Sequence, residues 1–89
     1  MESAHILAVE DSEITLFKLK AILVRLGYTV TTYANPLLAL EWLNTSGVKP
    51  DLVMTDVMMP EMDGFAFVRS LRAMPALAAV PIIMLTSIS

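Results

Sequence analysis

The residues best equipped for chemistry in this chain of 89 residues are carboxylates: Glu10 and Asp11 follow the apolar run His5 to Val9, and Asp56 follows Leu52 to Thr55. If both runs are parallel strands of one sheet, their ends gather at one edge, where ligands bind in open α/β sheets. Two ionised carboxylates about 4 Å apart repel by about 4 kcal/mol at an effective dielectric of roughly 20, so three held together call for a cation. Magnesium answers this demand, because it takes oxygen ligands, uses one or two carboxylates and keeps room for phosphate oxygens. A carboxylate beside such an ion can attack a phosphoryl donor and form an acyl phosphate while the metal neutralises the transferred group. Taken singly, Asp11 reads as a helix-capping turn residue and Asp56 as a loop starter. The combination carries the reading.

Elements able to position these acids are legible in the apolar pattern. His5 to Val9 suits a buried parallel strand. Ser12 is a candidate cap for a following helix, with Glu13 in its first turn, Ile14, Phe17, Ala21 and Val24 as an apolar stripe, and Gly27 as a stop. Thr29 to Tyr33 is a β-branched strand; Asn35 and Pro36 then open a helix over Leu37 to Thr45 that ends at Gly47. Leu52 to Thr55 is the third strand and runs into Asp56. Pro60 and the Asp63-Gly64 pair predict a turn before a helix from Phe65 to Met74, and Pro81 to Leu85 reads as a fourth strand, apolar on both faces. Alternating strands and helices with short connections predict an α/β fold with a doubly wound parallel sheet and right-handed crossovers, in one domain.

Composition narrows the function. The chain is 56% hydrophobic and 17% charged, above the usual apolar share, so much of it expects to be covered. It has no cysteine, which removes disulfides, thiolate nucleophiles and thiolate metal sites. A formal charge of −3 and scattered basic residues predict no direct nucleic acid binding. The apolar part of the uncharged stretch Ala73 to Ser89 is broken by Pro75 and Pro81, so no membrane segment is expected, and the first residues lack a secretory pattern, which makes the cytoplasmic compartment the default. His5, far from the acids, is expected to be structural. Met54, Met58, Met59 and Met62 read as core and loop packing, and Trp42 as part of a buried helix face or its rim.

Three stretches, Ile6 to Ser12, Asp51 to Gly64 and Val80 to Ser87, make the sequence resemble the receiver domain of two-component response regulators. The resemblance implies the flavodoxin-like sheet order 2-1-3-4, with Asp56 as phosphoacceptor. It implies a magnesium site in which Asp11 ligates directly, Glu10 acts largely through water and Met58 offers its backbone carbonyl. Thr86 matches the switch hydroxyl and Ser87 the small residue that leaves room for the phosphoryl group, while Pro60, Asp63 and Gly64 would shape the loop. A histidine kinase or histidine phosphotransfer protein is the implied donor. Met58 and Ile88 stand where polar side chains in such domains help place a hydrolytic water, so a long-lived phosphoryl group is expected.

Glu10 stands where many receivers have Asp, which preserves an acid. Receivers continue to a fifth strand bearing a Lys, a switch aromatic and last helices; no Lys or Arg follows Arg72 here, so residues 1–89 are expected to be a receiver ending after its fourth strand. Self-association through that sheet edge is a further expectation. Two other functions remain open: a degenerate receiver that only docks proteins, and an aspartate phosphatase. The second is disfavoured because Met58 occupies the position of its second Asp.

Overall fold

The computed structural model describes residues 3–85, which form a four-stranded sheet with three α-helices and one short 3-10 turn. The strands are β1 (His5–Val9), β2 (Thr29–Tyr33), β3 (Leu52–Asp56) and β4 (Ile82–Leu85); the helices are α1 (Glu13–Arg25), α2 (Pro36–Ser46) and α3 (Gly64–Arg72). All pairings are parallel and the order is β2-β1-β3-β4, as the resemblance implied. The chain moves from β1 outward to β2, then back past β1 to β3. Right-handed crossovers in opposite directions place α1 on one face of the sheet and α2 and α3 on the other.

Side-chain alternation along β1 and β3 then builds the core. Leu7, Val9 and Val53 meet Ala39 and Leu43 of α2 and Phe67 and Leu71 of α3, closed by Leu77, Val80 and Met59. The intervening Ile6 and Ala8 are also buried and project to the α1 face. Truncating a core aromatic such as Phe67 to Ala would cost about 3 to 5 kcal/mol, so this face anchors the strands that carry the acids.

The caps at Ser12 and Asn35 follow the predicted residues, and Asp63, expected as a turn residue, is a third. The Ser12 side chain accepts from the Thr15 amide, Asn35 from Leu37 and Asp63 from Ala66. Gly27 and Gly47 adopt φ of 98° and 72°, left-handed conformations that glycine reaches without a Cβ penalty.

Two expectations are corrected. On α1 the buried residues are Leu16 and Leu23, whereas Ile14, Phe17 and Val24 of the predicted stripe are exposed. The third helix ends at Arg72 rather than Met74, because Pro75 restricts the residue before it and starts a 3-10 turn, Pro75–Leu77. On α2, Ala39 and Leu43 face the core while Leu37 and Leu38 are about half exposed; Trp42 packs against the core from the rim, as expected, with its ring 5.9 Å from His5 and 6.0 Å from Tyr33. As the order 2-1-3-4 implied, β4 lies outermost among the described residues, beside β3, with Ile83 47% exposed.

One clamp was not foreseen. The Arg72 guanidinium donates from Nη1 to the carbonyls of Leu77, Ala78 and Val80 at 3.1, 3.2 and 2.7 Å, tying the end of α3 to the loop that enters β4. Charge-assisted bonds of this kind hold a connection that has little regular structure of its own.

Candidate acidic metal and phosphoacceptor site

The parallel register sets the site. Val9 pairs with Thr55, so Glu10 and Asp56 lie side by side at the carboxyl edge of the sheet. The Glu10 amide still donates to the Tyr33 carbonyl at 3.2 Å, which extends the ladder by one residue and fixes where the acid leaves the strand. Asp56 remains within β3, and the buried Thr55 hydroxyl donates to the Asp56 carbonyl at 3.1 Å.

Glu10, Asp11 and Asp56 each bring a carboxylate oxygen to a common point, with these oxygens within 4.8 Å of one another. Glu10 and Asp56 are buried and Asp11 is exposed. Two backbone amides hold the buried pair: Ser12 donates to Glu10 Oε1 at 3.2 Å and Val57 donates to Asp56 Oδ1 at 2.7 Å. The Glu10 carboxyl is pushed up from its usual range to about 7, chiefly by burial, with a hydrogen bond to Asp11 and the charge of Asp56 adding to the rise. The Ser12 amide opposes the shift without cancelling it. A raised Glu10 pKa lowers the mutual repulsion of a cluster of like charges. The donor set, carboxylate oxygens alone, suits a hard dication such as magnesium.

The acids sit in a cleft of about 540 Å³, also lined by Ser12, Thr15, Leu19, Met58 and Leu85. Met59 is buried in the core, as expected, but Met58 is 74% exposed and belongs to the cleft rather than to the packing. Pro60 is exposed in the loop that follows, and Asp63 caps α3. Gly64 does more than turn the chain. Its amide donates to the Val57 carbonyl at 2.7 Å, and a Cβ there would collide with the Asp56 carbonyl oxygen and lie 2.7 Å from the Met84 terminal methyl. Thr86 and Ser87, expected as the switch hydroxyl and the small residue that leaves room for the phosphoryl group, lie outside the described residues, as does Ile88. The backbone donors at Ser12 and Val57 were missed by sequence reasoning, because an amide carries no side-chain signature; the strand-end acid beside a turn was the available cue.

Comparison with known proteins agrees with this geometry. Residues 6–89 match the family described as "Response regulator receiver domain". The response regulator PleD of Caulobacter vibrioides is 36% identical over 86 residues, covering 97% of this chain and 18% of PleD. The chemotaxis response regulator CheY4 of Vibrio cholerae superposes with a TM-score of 0.91 at 34% identity, covering 99% of this chain and 72% of that one. The receiver domain of the sensor histidine kinase PA1611 from Pseudomonas aeruginosa, solved with magnesium coordinated in its active site cleft, gives a TM-score of 0.84 at 31% identity over 93% of this chain and 66% of that one. The chain belongs to the response regulator receiver family, a signalling domain of two-component systems. It spans 10% to 18% of the length of several curated relatives that it matches. Among the described residues no helix is long and apolar enough to cross a membrane.

Proposed function

We propose that Asp56 accepts a phosphoryl group from a histidine kinase or histidine phosphotransfer protein in a magnesium-dependent reaction, and that the acyl phosphate switches an output. The observation that carries this reading is the convergence of Glu10, Asp11 and Asp56 within 4.8 Å at the carboxyl edge of the sheet. Asp11 and Asp56 would hold the ion directly, Glu10 would act through its water, and the Met58 backbone carbonyl would complete the protein's share. Bound magnesium would supply charge neutralisation at the phosphoryl oxygens.

The chain's own residues do the remaining tasks. The Val57 amide fixes one oxygen of Asp56, which leaves the other oriented for attack on phosphorus. Attack forms the bond from the carboxylate oxygen to phosphorus and breaks the bond from phosphorus to the donor's nitrogen, which leaves with its electron pair and takes a proton. Gly64 keeps the backbone behind Asp56 close and unobstructed. Thr86 would turn toward the phosphoryl group, and Ser87 would leave space for it.

Incubation of the chain with magnesium and acetyl phosphate, followed by intact mass measurement, separates this reading from phosphorylation-independent docking. A gain of one phosphoryl group, absent in Asp56→Asn and with chelator, is expected. No gain under conditions that label another receiver would favour the docking function.

A further inference from the structure

The two neighbouring methionines after β3 have opposite fates. Met59 is 8% exposed and locked in the core, while Met58 is 74% exposed and lines the cleft with Glu10, Asp11 and Asp56. Met54, Met62, Met74 and Met84 are all partly covered, so Met58 is the most exposed of the described methionines. Oxidation of methionine follows access, and the sulfoxide is reversible by reductases. Chemistry at this one sulfur would therefore reach the pocket while leaving the core methionine untouched.

We propose that Met58 is a peroxide-sensitive modification site whose oxidation shortens the life of the phosphorylated state. This rests on Asp56 being the phosphoacceptor. In the oxidation step a sulfur lone pair attacks hydrogen peroxide; the O–O bond breaks, one oxygen stays on sulfur, and the other leaves as water. Sulfur loses two electrons and the peroxide gains them. The product replaces an apolar group at the pocket mouth with a strong hydrogen-bond acceptor. Among the described residues that line the cleft, Leu19, Met58 and Leu85 are the apolar side chains, and none of them carries a strong acceptor.

Hydrolysis of the acyl phosphate needs a water placed against phosphorus. The sulfoxide oxygen would accept a hydrogen bond from that water and hold it there. As the new oxygen to phosphorus bond forms, the bond from phosphorus to the Asp56 oxygen breaks, the electron pair returns to the carboxylate, and the water's proton passes to solvent. One hydrogen bond of ordinary strength corresponds to about twofold to tenfold in rate.

The test uses the full chain with magnesium, phosphorylated by acetyl phosphate and then freed of donor. One portion is treated with dilute hydrogen peroxide, and peptide mapping records which methionine gains oxygen. Phosphoryl loss is followed by intact mass in treated and untreated portions, in the wild type and in Met58→Leu, with Met58→Gln as a permanent acceptor of similar length. Expected are first oxidation at Met58, decay faster by about twofold to tenfold in the treated wild type, no peroxide effect on decay in Met58→Leu, and faster decay in Met58→Gln than in Met58→Leu. Oxidation of another methionine first, equal decay in treated and untreated wild type, or an equal peroxide effect in Met58→Leu overturns the proposal. Failure of the untreated wild type to take a phosphoryl group would overturn the phosphoacceptor reading and this inference with it, whereas labelling with unchanged decay overturns only the inference.

Discussion

Three carboxylates with three environments create a site whose charge depends on pH. Glu10 is the member that burial and its neighbours push up to about 7, above the 4.5 typical of a free glutamate. Between those two values the folded state holds a proton that the unfolded chain has released, so metal-free stability falls as pH rises through this window. Magnesium works in the opposite sense, because it competes with that proton. Thermal melts from pH 5 to pH 8 should show metal-free stability decreasing toward pH 8 and the stabilisation by magnesium growing over the same range. A magnesium effect that shrinks above pH 7 would contradict this account of Glu10. The carboxylates themselves were legible in the sequence as strand-end acids. Their amide partners were not, and neither was the exposure of Met58: its methionine neighbours, Met59 among them, suggest packing, and side-chain type does not say which way a loop residue points.

At the scale of elements, the loop between β3 and α3 is constrained from behind the acid. Because a Cβ at residue 64 would collide with the Asp56 carbonyl, Gly64→Ala should cost about 1 to 3 kcal/mol and displace the phosphoacceptor. Chemical denaturation and phosphorylation rate together check this: a variant of unchanged stability and rate would show that the close approach is not restrictive. Most strand and helix limits were readable because caps and breakers sit at their ends, as with Ser12, Asn35 and Gly47. The buried face of α1 was not. That helix carries Ile14, Leu16, Phe17, Leu19, Ala21, Ile22, Leu23 and Val24, so its apolar residues run nearly all the way round and more than one stripe satisfies the helical period. Only packing against β1 and β2 selects Leu16 and Leu23, a choice made by the tertiary structure.

For the whole molecule, the fold holds like charges together and a ligand relieves the strain. Magnesium at a hundredfold its dissociation constant should stabilise the folded state by about 2.7 kcal/mol. Asp56→Asn should raise metal-free stability and reduce the magnesium effect, readable as melting temperatures with and without the ion. Unchanged temperatures in both would mean that the acids do not act as one site. Sheet order was legible from alternating elements joined to the receiver resemblance, since periodicity alone predicts a parallel sheet but does not order its strands. The Arg72 clamp depends on contacts between residues that share no local pattern.

The central claim, that Asp56 becomes an acyl phosphate, is tested most directly by trapping the product. Borohydride reduces an aspartyl phosphate to homoserine, and peptide mapping after treatment with acetyl phosphate and magnesium locates it. The account predicts homoserine at position 56 alone, absent when magnesium is chelated. Homoserine at another aspartate, or a phosphoryl group that survives borohydride on a hydroxyl or imidazole, would contradict it.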